Sequence, residues 1–172
     1  LPWYLAWLDT LAPPAQAADG DWQVRLQVEN KVTGWQDTTN LLGQKTTAQT
    51  GYDSHDLSEM APFATPYLSL VFPHQEWAAS PDGQKRAGDY ATDFRPPSAR
   101  RMDWNFELRG SPATGGKVFI TWQADPALLK RSRLVDLQTG AVIDPTAAKY
   151  AQGYPVALKA SPQRYQWRYL GR

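Results

Sequence analysis

Met102-Asp-Trp-Asn-Phe-Glu-Leu-Arg109, followed through Gly110-Ser-Pro-Ala-Thr-Gly-Gly116 to Lys117-Val-Phe-Ile-Thr-Trp-Gln-Ala124, is the stretch whose reading decides the fold. Met102, Trp104, Phe106 and Leu108 alternate with Asp103, Asn105, Glu107 and Arg109, so one face of an extended segment is apolar and the other polar. Val118, Ile120 and Trp122 repeat that period after a segment rich in turn-forming residues. The pattern predicts two strands joined as a β-hairpin with a longer loop. Two strands cannot bury such faces by themselves, so other sheet segments must cover Trp104 and Trp122.

Working outward, the same period recurs. Trp22, Val24, Leu26 and Val28 alternate with polar residues, and Trp35 to Leu42 predicts a second strand ending at Gly43. Leu68, Leu70 and Phe72 mark a strand within a near-continuous apolar run, and Tyr90 to Arg95 predicts a short strand stopped by Pro96-Pro97. Arg133 to Leu137 and Ala141 to Ile143, around Thr139-Gly140, predict a tighter hairpin. Tyr150 to Leu158 and Gln163 to Leu170 complete about nine short strands. Strands joined by turns, with no long helical pattern between them, predict an all-β chain folded as an antiparallel β-sandwich.

Composition agrees. The chain has 172 residues, 14 prolines, 12 glycines, eight Trp, eight Tyr and five Phe, which favours short strands over long helices. A net charge of +1 with no long basic run gives no electrostatic footprint for nucleic acid. Without cysteine there is no disulfide, thiolate metal site or thiol nucleophile.

The order of motifs from Trp22 onward resembles an immunoglobulin-like β-sandwich module of bacterial exported and surface proteins. The pieces that carry the resemblance are the Trp22 to Val28 strand, Gly51-Tyr-Asp53, Leu68 to Phe72 with Pro73-His-Gln-Glu-Trp77, and Tyr90-Ala-Thr-Asp-Phe-Arg95. Trp104-Asn-Phe, Val118-Phe-Ile-Thr-Trp122, Leu134-Val-Asp-Leu-Gln-Thr-Gly140 and Arg164-Tyr165 follow. The resemblance implies an immunoglobulin-like sandwich, export, and a binding or structural role; it brings no catalytic residues and no cofactor.

Residues 1–17 lie outside it and form the other predicted unit, beside a sandwich at 18–172. Trp3, Tyr4, Trp7, Leu8 and Leu11 keep the spacing of one helical face, with Pro2 in the first turn and Pro13-Pro14 as the stop. A dozen helical residues reach roughly 18 Å, short of a hydrocarbon core of about 30 Å. The segment therefore reads as a short helix, or an extended piece, that docks on a membrane surface or a partner. A retained secretory signal and a helix packed on its own domain are the alternatives.

Chemistry-bearing residues are few. Gln44 to Pro66 is a long aperiodic stretch, and a loop of that length is usually functional or pinned. Asp53, His55, Asp56, Glu59, His74 and Glu76 have metal-ligand character but none of the familiar ligand spacings. The preferred reading makes Asp53 and Asp56 pin the loop through its backbone and through Arg95 or another arginine, with no metal. Asp89 and Asp93, four residues apart on one predicted strand, would stand roughly 13 Å apart, too far for a glycosidase pair, and no catalytic site is expected. Trp35 and Trp77 are the aromatics left free to face a ligand, whereas Trp22, Trp104, Trp122 and Trp167 read as core. The expected function is a non-catalytic structural or adaptor subunit on the extracytoplasmic side of a bacterial membrane, binding other protein subunits and the membrane surface. A carbohydrate-binding module is the alternative, and a hydrolytic enzyme the third reading.

Overall fold

The computed structural model describes residues 20–64, 67–79, 85–111 and 117–172. It is an all-β arrangement of two sheets. The first runs β10 (Tyr154–Val156), β7 (Val118–Gln123), β1 (Trp22–Asn30), β2 (Gln36–Gln44), β5 (Thr92–Arg95); the second runs β4 (Gly88–Tyr90), β3 (Leu68–His74), β6 (Met102–Gly110), β11 (Gln163–Tyr169), β8 (Ser132–Asp136), β9 (Val142–Ile143). Both contribute to one core. Val24, Leu26, Leu42 and Ile120 from the first sheet pack with Leu70, Phe72, Trp104, Phe106, Leu134 and Trp167 from the second.

The two strands that open the sequence argument are not a hairpin. β6 pairs with β3 and β11, whereas β7 pairs with β1 and β10 in the other sheet, so the chain changes sheet between Gly110 and Val118. Alternation marks which side of a strand meets the core, and two strands facing each other across a core carry the same pattern as two strands side by side. The hairpin expected at β8 and β9 does form, and Gly140 takes φ of +75° at its turn, where Asp136 also accepts the Gln138 amide.

Two further expectations change, and one short helix is added. Tyr90 to Arg95 is not one strand: β4 belongs to the second sheet and β5 to the first, with Ala91 between them donating its N–H to Leu57 O. Asp89 and Asp93 therefore stand on different sheets rather than on one face. The sandwich is not wholly antiparallel either, since β5 runs parallel to β2 with Leu42 opposite Asp93. Finally, Asp125-Pro126 starts a short helix, α1 (Pro126–Lys130), in which the Asp125 carboxylate accepts the Ala127 amide and Pro126 fills the first turn.

Aromatics tie the sheets together. Trp22 on β1 meets Trp104 edge-on at 5.4 Å, and Trp122 on β7 lies 6.1 Å from Trp167 on β11. Trp104 and Trp167 are fully buried, while Trp22 and Trp122 are only half-buried because each sits at a strand end. Each half-buried indole donates its N–H to a buried residue, Trp22 to Gln44 Oε1 and Trp122 to Pro145 O. Among the described residues no helix is long and apolar enough to cross a membrane. Trp3, Tyr4, Trp7, Leu8 and Leu11 lie outside the described residues.

Candidate functional site: a pinned loop and the cleft beside it

The long excursion between β2 and β3 is fixed by its own side chains. Gly51 takes φ of +92°, a conformation open to glycine, and lets the chain reverse. Asp53 then accepts the Gln49 amide on Oδ2 and the His55 amide on Oδ1, both at 2.6 Å. Asp56 is buried and accepts the Asp53 amide at 2.9 Å and, from β5, the Phe94 amide at 3.2 Å. Thr92 completes the tether by accepting the Leu57 amide and donating its hydroxyl to His55 O. Beyond it, Glu59 N donates to Asp89 O, so residues 57–59 run along the edge of β4 and bridge it at Ser58 and Tyr90.

Arg95 is not part of that tether. Its guanidinium lies along Asp93, Nε to Oδ1 at 3.2 Å and Nη2 to Oδ2 at 2.9 Å, and Nη1 reaches Asp103 O at 2.8 Å. Residues two apart on a strand share a face, which brings Arg95 to Asp93 before any loop carboxylate.

Asp93 is also the second carboxylate of a histidine clamp. His74, at the end of β3, meets Glu76 Oε1 through Nδ1 at 2.6 Å and Asp93 Oδ2 through Nε2 at 3.1 Å. Burial works against charge on His74, but the two carboxylates outweigh it and raise the imidazole above its ordinary value. Asp93 is likewise penalised by burial and nevertheless lowered by His74 and Arg95. A carboxylate at each nitrogen favours the protonated ring, and in that form His74 donates twice and has no lone pair to act as a base. Trp77 stacks on it at 3.7 Å with the rings 3° from parallel, and Tyr90 and Tyr52 meet the indole edge-on at 4.8 and 5.9 Å. His74, Glu76, Trp77, Asp93 and Arg95 line a cleft of about 440 Å³ together with Gly51 and Met102.

The six candidate ligating residues are thus divided. His55 turns to Thr47 Oγ1 at 2.9 Å, His74 and Glu76 pair with each other, and Asp53, Asp56 and Glu59 serve backbone amides. Among the described residues no three His, Asp or Glu side chains come together as a metal site. Trp35 and Trp77 are not free platforms: both are half-buried against the core, and one face of Trp77 is covered by His74.

Sequence reasoning passed over the outward side of the loop. Leu57, Met60 and Phe63 are 60%, 66% and 90% exposed, the first within the tethered stretch and the other two just beyond its end at Glu59. Their apolar character is visible in the sequence, but without periodicity it gives no direction. Two contiguous cavities, of about 240 and 360 Å³, open under this segment and share Glu59, Met60, Pro62, Tyr67 and Ser69. Burial, with help from the like charges of Asp37 and Asp89, pushes Glu59 up to about 7; burial likewise pushes Asp56 up to about 6. Comparison with protein-family models, curated proteins and solved structures finds no match.

Proposed function

We propose that this chain is a non-catalytic structural or adaptor module, an immunoglobulin-like sandwich on the extracytoplasmic side of a bacterial membrane, that binds another protein subunit through the pinned loop. The observation that carries the binding role is the exposure of Leu57, on a loop whose backbone is held by Asp53, Asp56 and Thr92, and of Met60 and Phe63 in the segment that follows it. Exposed apolar side chains on a fixed backbone lose little entropy on docking, which is the economy of a protein-binding anchor. The immunoglobulin-like assignment, the extracytoplasmic placement and the membrane association rest on the motif order and on the amphipathic spacing of Trp3, Trp7, Leu8 and Leu11.

The test compares proteins cross-linked in native cells to the wild-type chain and to the variants Met60→Asp and Phe63→Asp, with melting temperature as a control for folding. Loss of the same cross-linked subunit from both variants, at unchanged melting temperature, supports the reading. An identical set of cross-links in all three sinks it.

A carbohydrate ligand is the second reading, favoured by one feature: the cleft beside Trp77 offers a ring edge together with Glu76 and Arg95 as acceptor and donor. Glycan-array signal abolished by Trp77→Ala would replace the protein-binding reading with this one.

A further inference from the structure

We infer that the groove beneath residues 60–64 reads charge on the partner: it takes a lysine or arginine side chain from a basic segment of that protein, with Glu59 as its counter-ion. The inference rests on the protein-binding reading above and gives that surface its specificity. The groove is formed where the loop crosses the start of β2 and the flank of β3 and β6, and its two cavities together run from Asp37 to Arg109. At about 240 and 360 Å³ each, they sit at the small end of ligand sites, about 300 to 1,000 Å³, and suit single side chains.

Charge decides what kind of side chain. Asp37, Glu59 and Asp89 line the groove against one cation, Arg109. That guanidinium is already committed, with both terminal nitrogens on Asp89 and further bonds to Glu107 at 2.7 and 2.9 Å. Asp37 is occupied with the amides of Thr39 and Leu70. Glu59 accepts the Met60 amide, and its Oε2 is nevertheless buried without a hydrogen-bond partner among the described residues. A carboxyl oxygen out of water and unpaired resists ionisation, in line with a Glu59 pushed up to about 7; a cation in the groove favours the charged form and removes that cost, whereas a neutral side chain leaves it and an anion increases it. The walls fit the rest of a long basic side chain, since Met60, Pro62, Tyr67 and Val71 offer apolar surface to a methylene stem. Phe63 at the rim adds a contact for an apolar neighbour in the same segment.

The probe is a displayed library of random peptides, panned on the wild-type chain, on Glu59→Gln, on Phe63→Asp and on the double variant Met60→Asp/Phe63→Asp. Wild type is expected to enrich peptides with Lys or Arg next to an apolar residue. Those peptides should bind Glu59→Gln about tenfold or more weakly, the scale of one lost charge pair in a desolvated site. Replacing the basic residue of a selected peptide by norleucine should weaken binding to wild type and leave binding to Glu59→Gln unchanged. The wild-type half of that second arm uses the intact chain, so it holds even where the variant folds poorly. Selected peptides that lack a basic residue yet require Phe63 overturn the charge inference and leave the docking surface standing. Enrichment indifferent to Phe63→Asp, or none above that on Met60→Asp/Phe63→Asp, overturns both.

Discussion

His74 shows how one residue can fix local structure and set a pH response. It is buried between Glu76 and Asp93, and its raised imidazole means that the folded state holds a proton the unfolded chain releases near pH 6.5. Its contribution is therefore complete below that value and is lost as pH rises through the raised folded value. Asp56, at about 6, and Glu59, at about 7, act in the same direction, because each is raised above its ordinary carboxylate value and each destabilises the fold as it ionises. Asp93 has the opposite sign: lowered in the fold, it contributes above its ordinary value and fails only as pH falls through its depressed one. The expected profile of melting temperature has its maximum on the mildly acidic side and declines toward pH 8. His74→Gln should melt lower throughout and decline less steeply across that window. A wild-type profile that rises from pH 5 to pH 8, or a variant with an unchanged slope, refutes the assignment.

At the scale of the element, the two opening strands divide the stability unequally. Trp104 on β6 is fully buried, takes Arg95 over its ring at 4.9 Å and donates its indole N–H to Asp93 O at 3.1 Å. Trp104→Ala should cost about 3 to 5 kcal/mol, the range for a large core aromatic, and loosen the His74 clamp with it. Trp122→Ala, at the half-buried end of β7, should lower the urea midpoint by clearly less. Equal losses at the two sites would show that β7 is as central as β6. The sequence spacing yields β1, β6 and β11 because each has long, clean alternation, and it yields the β8–β9 hairpin because the turn is local. It does not yield sheet membership: β6 and β7 separate, and the split at Ala91 is hidden by continuous strand-forming residues from Tyr90 to Arg95. The site follows the same division. Asp93 with Arg95 is visible as a pair two residues apart, whereas His74 with Asp93 spans two sheets and exists only once both are packed.

For the whole molecule, the two sheets cover one another with side chains from residues 22–169, and β1, the first described strand, already has a neighbour on each side. No strand of the first sheet interior waits for a pairing partner: β1 lies between β7 and β2, and β2 between β1 and β5. The large buried side chains, Trp104, Trp167, Tyr165 and Phe72 among them, are in one contiguous core cluster with their neighbours from both sheets. Trp3, Tyr4, Trp7, Leu8 and Leu11 keep the spacing of one helical face in the sequence, and the proposed function gives that face a partner or a membrane surface as its cover. Deleting residues 1–17 should then release the protein from its membrane or complex while the β-type circular dichroism spectrum stays and the melting temperature shifts by only a few degrees, as expected for a loss below about 1 kcal/mol. Loss of cooperative unfolding on deletion would mean that the segment caps the core instead. Retention in the membrane fraction, abolished only by adding Phe63→Asp, would move the attachment to the pinned loop and make that loop, rather than the first seventeen residues, the surface through which the module is held in place.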